Sequence, residues 1–232
     1  MKKITYKLLE EIDACQEGLD WFEKHFPKGG TFNEIVQYPY INPDHAVWLG
    51  HYCPAGVKGA TWEARLALQC GAVDRAVLGR CCPADVEGAT WEARLAVQRN
   101  DFERVWLGQS CPADVEGATW EARLALQLND VDRAVLGRCC PADVEGATWE
   151  ARLSTQLNDF GRVRLGRHCP AGVEGATWEA RLALQRDKHD RALLGRYCPA
   201  GVKGATREAR LSVQRNDVGR DYIERMKDTH NN

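Results

Sequence analysis

No stretch of this sequence is apolar over the roughly 20 residues that a bilayer-spanning helix needs, so no membrane crossing is expected. An excess of charge is missing too: 31 basic residues against 33 acidic ones leave a net charge of −2. No global field therefore draws the chain towards nucleic acid or an anionic membrane, and electrostatic recognition has to be local. Met1 to Leu8 carry three lysines but run into Glu10, Glu11 and Asp13 rather than an apolar segment, so no secretory signal is expected there and a cytoplasmic location is. The sequence has no G-x-S-x-G, Walker loop, Rossmann fingerprint or H-E-x-x-H. With no catalytic residues to name, no enzyme is expected.

What the sequence does have is repetition. The phrase CPADVEGATWEARLALQ, Cys111 to Gln127, recurs with small changes from Cys53, Cys82, Cys140, Cys169 and Cys198, at a spacing of 29 residues each time. A fixed period in the range of roughly 20–50 residues is the signature of an array in which each unit buries its faces against its neighbours. The expected organisation is a helical N-terminal cap with a degenerate repeat over 1–52. Six tandem repeats come next, over 53–81, 82–110, 111–139, 140–168, 169–197 and 198–226, with a tail over 227–232.

Within a copy, Pro112 to Ala118 reads as loop. Thr119 is a plausible N-cap for a helix running to Gln127, and Asn129-Asp130 caps a second helix over Val131 to Cys139, stopped by Pro141. Trp120, Ala122, Leu124 and Leu126 also alternate as a strand would, but Ala, Glu and Arg are poor strand residues. The expected fold is all-α, a right-handed-type α-solenoid of two-helix repeats, with a β-solenoid as the alternative. In the cap, Ala14 to Phe26 reads as a helix ended by Pro27. Thr31-Phe-Asn-Glu34 has capping-box spacing that matches Thr-Trp in the copies.

On a helical wheel Ala118, Ala122, Ala125 and Leu126 share one face and Trp120 and Leu124 a second, as a sandwiched helix requires. The last copy has Arg207 where the others have Trp62, Trp91, Trp120, Trp149 and Trp178. Each Trp is therefore expected to pack towards the following copy.

Thr119, Arg123 and Gln127 form a third, polar line at i, i+4 and i+8. Stacking it predicts a surface ridge of Arg65, Arg94, Arg123, Arg152, Arg181 and Arg210, with Gln98, Gln127 and Gln156 beside it, as the partner-binding site. The bland reading pairs these arginines with the repeated acids Glu63, Glu92, Glu121, Glu150, Glu179 and Glu208. Twelve of the first seventeen positions are identical in all six copies, but of the last twelve only the series Arg75, Arg104, Arg133, Arg162, Arg191 and Arg220 is. Those arginines are read as bridges to the Glu series. Asp85, Glu87, Asp114, Glu116, Asp143 and Glu145 make an acidic edge, read as solvated or as a docking strip for a basic partner surface.

Ten cysteines invite a disulfide or metal reading. Equivalent residues of stacked helices lie about 8–10 Å apart, beyond the roughly 7 Å limit for a disulfide. There is no C-x-x-C pair, and the six histidines share no ligand spacing between copies. Buried reduced thiols are expected, with no metal and no cofactor.

The T-W-E-A-R-L-A phrase and two-helix plan resemble an ankyrin T-P-L-H-x-A unit or a short HEAT-like unit, although 29 residues is a shorter period. The phrase A-C-x-x-G-L-x-W-F, Ala14 to Phe22, is similar to segments of uncharacterised bacterial and prophage proteins. That resemblance implies a mobile-element accessory protein. The functional expectation is a non-enzymatic, protein-binding scaffold. Its alternatives are nucleic-acid binding along the Arg ridge and a phage-type inhibitor of a host defence complex.

Overall fold

A computed structural model describes residues 2–214 and residue 223; the expectations for Arg220 and for the tail over 227–232 lie outside the described residues. Every regular element described is helical, and the chain divides into two compact units, residues 1–118 and 119–232.

In the first unit α1 (Tyr6–Glu11), α2 (Gln16–His25), α3 (Phe32–Val36) and α4 (Pro43–Tyr52) precede two helix pairs, α5 (Trp62–Leu66) with α6 (Ala72–Cys81) and α7 (Trp91–Ala96) with α8 (Asp101–Ser110). Residues 2–4 run extended: Lys2 pairs with Val57 and Ile4 with Gly30 in isolated bridges. Ile4, Leu9, Phe22, Phe32, Ile35 and Leu49 form the core beneath them. The Thr31 capping box expected from the sequence is present at α3, with Glu34 Oε2 accepting from the Thr31 N–H at 2.7 Å.

The second unit holds α9 (Trp120–Leu124), α10 (Asp130–Cys139), α11 (Trp149–Ser154), α12 (Asp159–His168), α13 (Trp178–Ala183), α14 (Lys188–Tyr197) and α15 (Arg207–Ser212). Within each unit a long helix packs on the next short helix and the next long one: α4 on α5 and α6, α6 on α7 and α8, α10 on α11 and α12, α12 on α13 and α14. Each unit is thus a helical solenoid of stacked pairs. The β-solenoid alternative fails at the Thr-Trp step, because every Thr hydroxyl of the series caps a helix: Thr61, Thr90, Thr119, Thr148, Thr177 and Thr206 accept from the N–H three residues on at 3.2–3.3 Å.

The first helix of each copy is shorter than its sequence suggests. It stops after five or six residues, at Leu124 rather than Gln127 in the third copy. The cause is the glutamine side chain. Gln127 Nε2 donates to the Arg123 carbonyl at 3.0 Å, and the Gln127 N–H turns to Leu124 O at 3.1 Å, a tighter i−3 bond. The second helix matches its expectation, with Asn129 capping through its side chain.

Helices this short are unstable alone; neighbouring copies hold them. Trp62 is buried among Leu78, Cys82, Val86 and Ala89, all lying beyond its own helix in the chain and packed on its ring. Its N–H, which has no partner within its own helix, donates to the Glu87 carbonyl of the next copy's loop at 2.9 Å. Trp120 does the same to Glu145 O at 2.8 Å, Trp149 to Glu174 O and Trp178 to Lys203 O at 2.9 Å, and in the cap Phe32 to Lys58 O at 3.1 Å. Because only the carbonyl is used, the loop residue is free to be Glu or Lys. Gly146, at φ +79°, allows this approach by leaving room for the Trp120 Cβ, 3.4 Å from where its own Cβ would lie.

Candidate functional site

The expected Arg ridge is not on the surface. Arg65, Arg94, Arg123, Arg152 and Arg181 are 0% exposed and Arg210 is 8% exposed. Within each unit Arg65, Arg94, Arg152, Arg181 and Arg210 face the C-terminus of the preceding long helix, whose last carbonyls have no N–H of their own helix to accept from. Arg152 shows the arrangement. Its Nε donates to Ala147 O at 2.8 Å, its Nη1 to Gly137 O at 3.1 Å and Cys140 O at 2.7 Å, and its Nη2 to Pro141 O at 2.6 Å. Arg94 repeats this on Ala89, Gly79, Cys82 and Pro83, and Arg181 on Ala176, Gly166, Cys169 and Pro170.

A guanidinium is the one side chain with five donors in a rigid fork, and the C-terminal end of a helix dipole favours its charge. The bland reading is corrected as well: Arg94, Arg152 and Arg181 donate to backbone carbonyls and not to the Glu series. Burial pushes the pKa of Arg65 and Arg181 down from its ordinary value, with the charges of neighbouring thiols opposing it.

The glutamines are interior with them: Gln98, Gln127 and Gln156 are buried. Gln98 Nε2 donates to Arg94 O at 3.0 Å, and Gln156 Nε2 donates to Arg152 O at 3.2 Å and Ala134 O at 3.3 Å. The amide lies against a glycine of the preceding long helix. A Cβ on Gly137 would meet Gln156 Nε2 at 2.6 Å, Thr155 Oγ1 at 2.7 Å and Arg152 O at 3.1 Å. None of these glutamines is placed to touch a partner.

The repeated cysteines complete the interior. Cys53, Cys82, Cys111, Cys140, Cys169 and Cys198 are buried free thiols. Burial pushes Cys53 up to about 11, with Arg65 opposing, and raises Cys82, Cys140, Cys169 and Cys198 in the same direction. Such thiols act as small apolar residues.

The acidic residues lie in the loops of their own units. Glu87, Glu116 and Glu145 are exposed in the loops, and so are Asp85, Asp114 and Asp143 beside them. The second-half arginines reach solvent too, but they pair within their own helix: Arg104 with Asp101 at 3.5 Å, Arg133 with Asp130 at 3.4 Å and Arg162 with Asp159 at 3.9 Å. The expected bridges to the Glu series are replaced by these i, i+3 pairs, each worth about 0–1 kcal/mol. Among the described residues no group of three or more His, Cys, Asp or Glu side chains is gathered to hold a metal ion.

The sequence reading missed the outward face of the long helices. Val73 and Phe102, equivalent residues of α6 and α8, are 58% and 59% exposed; Val131 and Phe160, at the same position of α10 and α12, are 64% and 57% exposed. Leu128 and Leu157 are exposed just before α10 and α12, and Trp106 of α8 stacks under Arg80 of α6, 5.0 Å from ring centre to guanidinium carbon. The signal was present in the second half of the first four copies, where Val73, Phe102, Val131 and Phe160 recur at one position; the fifth copy has His189 there.

Residues 1–53 match the YdhT N-terminal domain. That segment covers the cap and ends at Cys53, the first residue of the first full copy. It resembles uncharacterised bacterial proteins, and the copies after it are stacked helix pairs. No curated protein and no solved structure matches the chain. Among the described residues no helix is long and apolar enough to cross a membrane.

Proposed function

We propose that this is a non-enzymatic scaffold that binds another protein through the outward faces of its long helices. The observation that carries the reading is the exposed apolar residue at one position of successive long helices, Val73 and Phe102 in one unit and Val131 and Phe160 in the other. Contiguous exposed apolar side chains are unfavourable in water and mark surfaces that meet a partner, and solenoids present extended surfaces for that purpose. The invariant half of each copy is occupied with holding its neighbours, which leaves the variable half to set what is bound. The acidic loops form a second strip suited to a basic partner surface. The resemblance of residues 1–53 supports a bacterial source and, with it, a cytoplasmic setting.

Nucleic-acid recognition along the Arg ridge loses its residues, since a guanidinium held by four carbonyls is not offered to phosphate. The test uses the full-length protein as bait in a bacterial lysate, beside Phe102→Asp/Phe160→Asp and Asp114→Lys/Glu116→Lys variants. Loss of the captured protein with the first variant, at unchanged helical circular dichroism, is expected. Capture that survives both variants contradicts the proposal.

A further inference from the structure

The cap contains an apolar cavity of about 300 Å³ that the scaffold reading leaves unused. Its walls include Leu9, Phe22, Ile35, Ile41 and Trp48, and on the same wall sit Cys15 and His45. Cys15 is exposed, at the N-cap of α2, where its side chain makes no capping hydrogen bond. The chain arrives there through Asp13, the one described non-glycine residue with positive φ, at +59°. The Cys15 Sγ lies 3.8 Å from His45 Nε2, on the first turn of α4. The other ring nitrogen, Nδ1, is buried without a hydrogen-bond partner. Gly18, inside α2, leaves open the space beside the pair: a Cβ there would touch Cys15 Sγ at 3.5 Å and the His45 ring at 3.9 Å.

We propose that Cys15 is an S-acylation site and that the cavity houses the acyl chain. A thiol beside an imidazole is an activated nucleophile, and a volume of this size is at the lower end of small-molecule pockets, roughly 300–1,000 Å³. The donor is an acyl thioester. The Cys15 sulfur attacks the thioester carbonyl carbon while His45 Nε2 takes the thiol proton. The bond from that carbon to the carrier sulfur breaks, and the proton passes to the leaving thiolate. One thioester is exchanged for another, with no oxidant or reductant. The buried repeat cysteines are excluded by access, and the exposed Cys70, Cys81 and Cys139 serve as internal controls.

The test incubates the full-length protein with octanoyl-CoA, and separately with acetyl-CoA, and maps hydroxylamine-labile adducts by mass spectrometry. Cys15 is expected to be acylated about a hundredfold faster than Cys70, Cys81 or Cys139, the size of a general-base contribution. Octanoyl transfer should outpace acetyl transfer, and His45→Gln should abolish the preference for Cys15. Equal labelling of the four exposed cysteines, a preference that survives His45→Gln, or acetyl transfer as fast as octanoyl transfer each overturns the proposal. The chain-length comparison needs no variant and so stands whether or not His45→Gln folds. None of these outcomes depends on the protein-binding face.

Discussion

The guanidinium carbon of Arg181 lies 5.8 Å from the ring centre of Trp149, one copy back in the chain. The same pairing joins Trp120 with Arg152 at 5.8 Å, Trp62 with Arg94 at 5.9 Å and, in the cap, Phe32 with Arg65 at 5.8 Å. One copy's aromatic ring thus covers the charge that caps the helix of the next. Trp149→Ala removes the ring and part of the core formed with Leu165, Cys169 and Val173. It should cost about 3–5 kcal/mol, read by urea unfolding, and a loss under about 1 kcal/mol would speak against coupling between copies.

Gly166 offers a sharper test of close approach. A Cβ there would lie 2.6 Å from Gln185 Nε2 and 3.1 Å from Arg181 O. Alanine normally stabilises a helix relative to glycine, but Gly166→Ala should destabilise by about 1–3 kcal/mol through overpacking. Adding Gln185→Ala vacates the space, so the double variant should lose less than the sum of the single ones. Simple additivity would show that the two residues do not meet.

Thiol chemistry separates the two sets of cysteines. In the folded protein a maleimide reagent should label Cys15, Cys70, Cys81 and Cys139 and leave the six buried thiols until denaturant is added. Early labelling of Cys140 or Cys169 would show that the interior opens far more readily than this packing implies.

The buried thiols also set a pH dependence. The folded pKa of Cys53, Cys82, Cys140, Cys169 and Cys198 lies above the ordinary value of 9.0, for Cys53 at about 11. In that window the unfolded chain binds fewer protons than the folded one, so stability falls as pH rises. The contribution is complete below about pH 9 and lost towards about pH 11. Unfolding midpoints measured across that range should decline, and less steeply in Cys53→Ala.

Much of the architecture was legible because it is repeated. The period, the Thr caps, the Asn-capped second helix, the Thr31 capping box and the direction of Trp packing all come from local patterns that the structure keeps. The polarity of Arg152 misled for a physical reason. A helical wheel assigns polar residues to solvent, and it cannot show that the neighbouring helix ends in carbonyls needing donors. For the repeated Arg and Gln of the first half, invariance among the copies therefore marked the interior. Glycine carries the same lesson: Gly79, Gly137, Gly166 and Gly195 receive the glutamine of the next copy. Phe102 and Phe160 looked like ordinary helix residues, since only the packing of α8 and α12 shows which of their faces is left outside.

The most direct measurement compares the urea unfolding of Arg152→Met and Phe160→Asp with the parent protein. If the repeated arginine is the interior cap and the apolar position is free surface, Arg152→Met leaves four carbonyls unmet and loses at least about 3 kcal/mol. Phe160→Asp stays within about 0.5 kcal/mol. An Arg152→Met protein as stable as the parent, or a Phe160→Asp protein that unfolds early, would contradict the account.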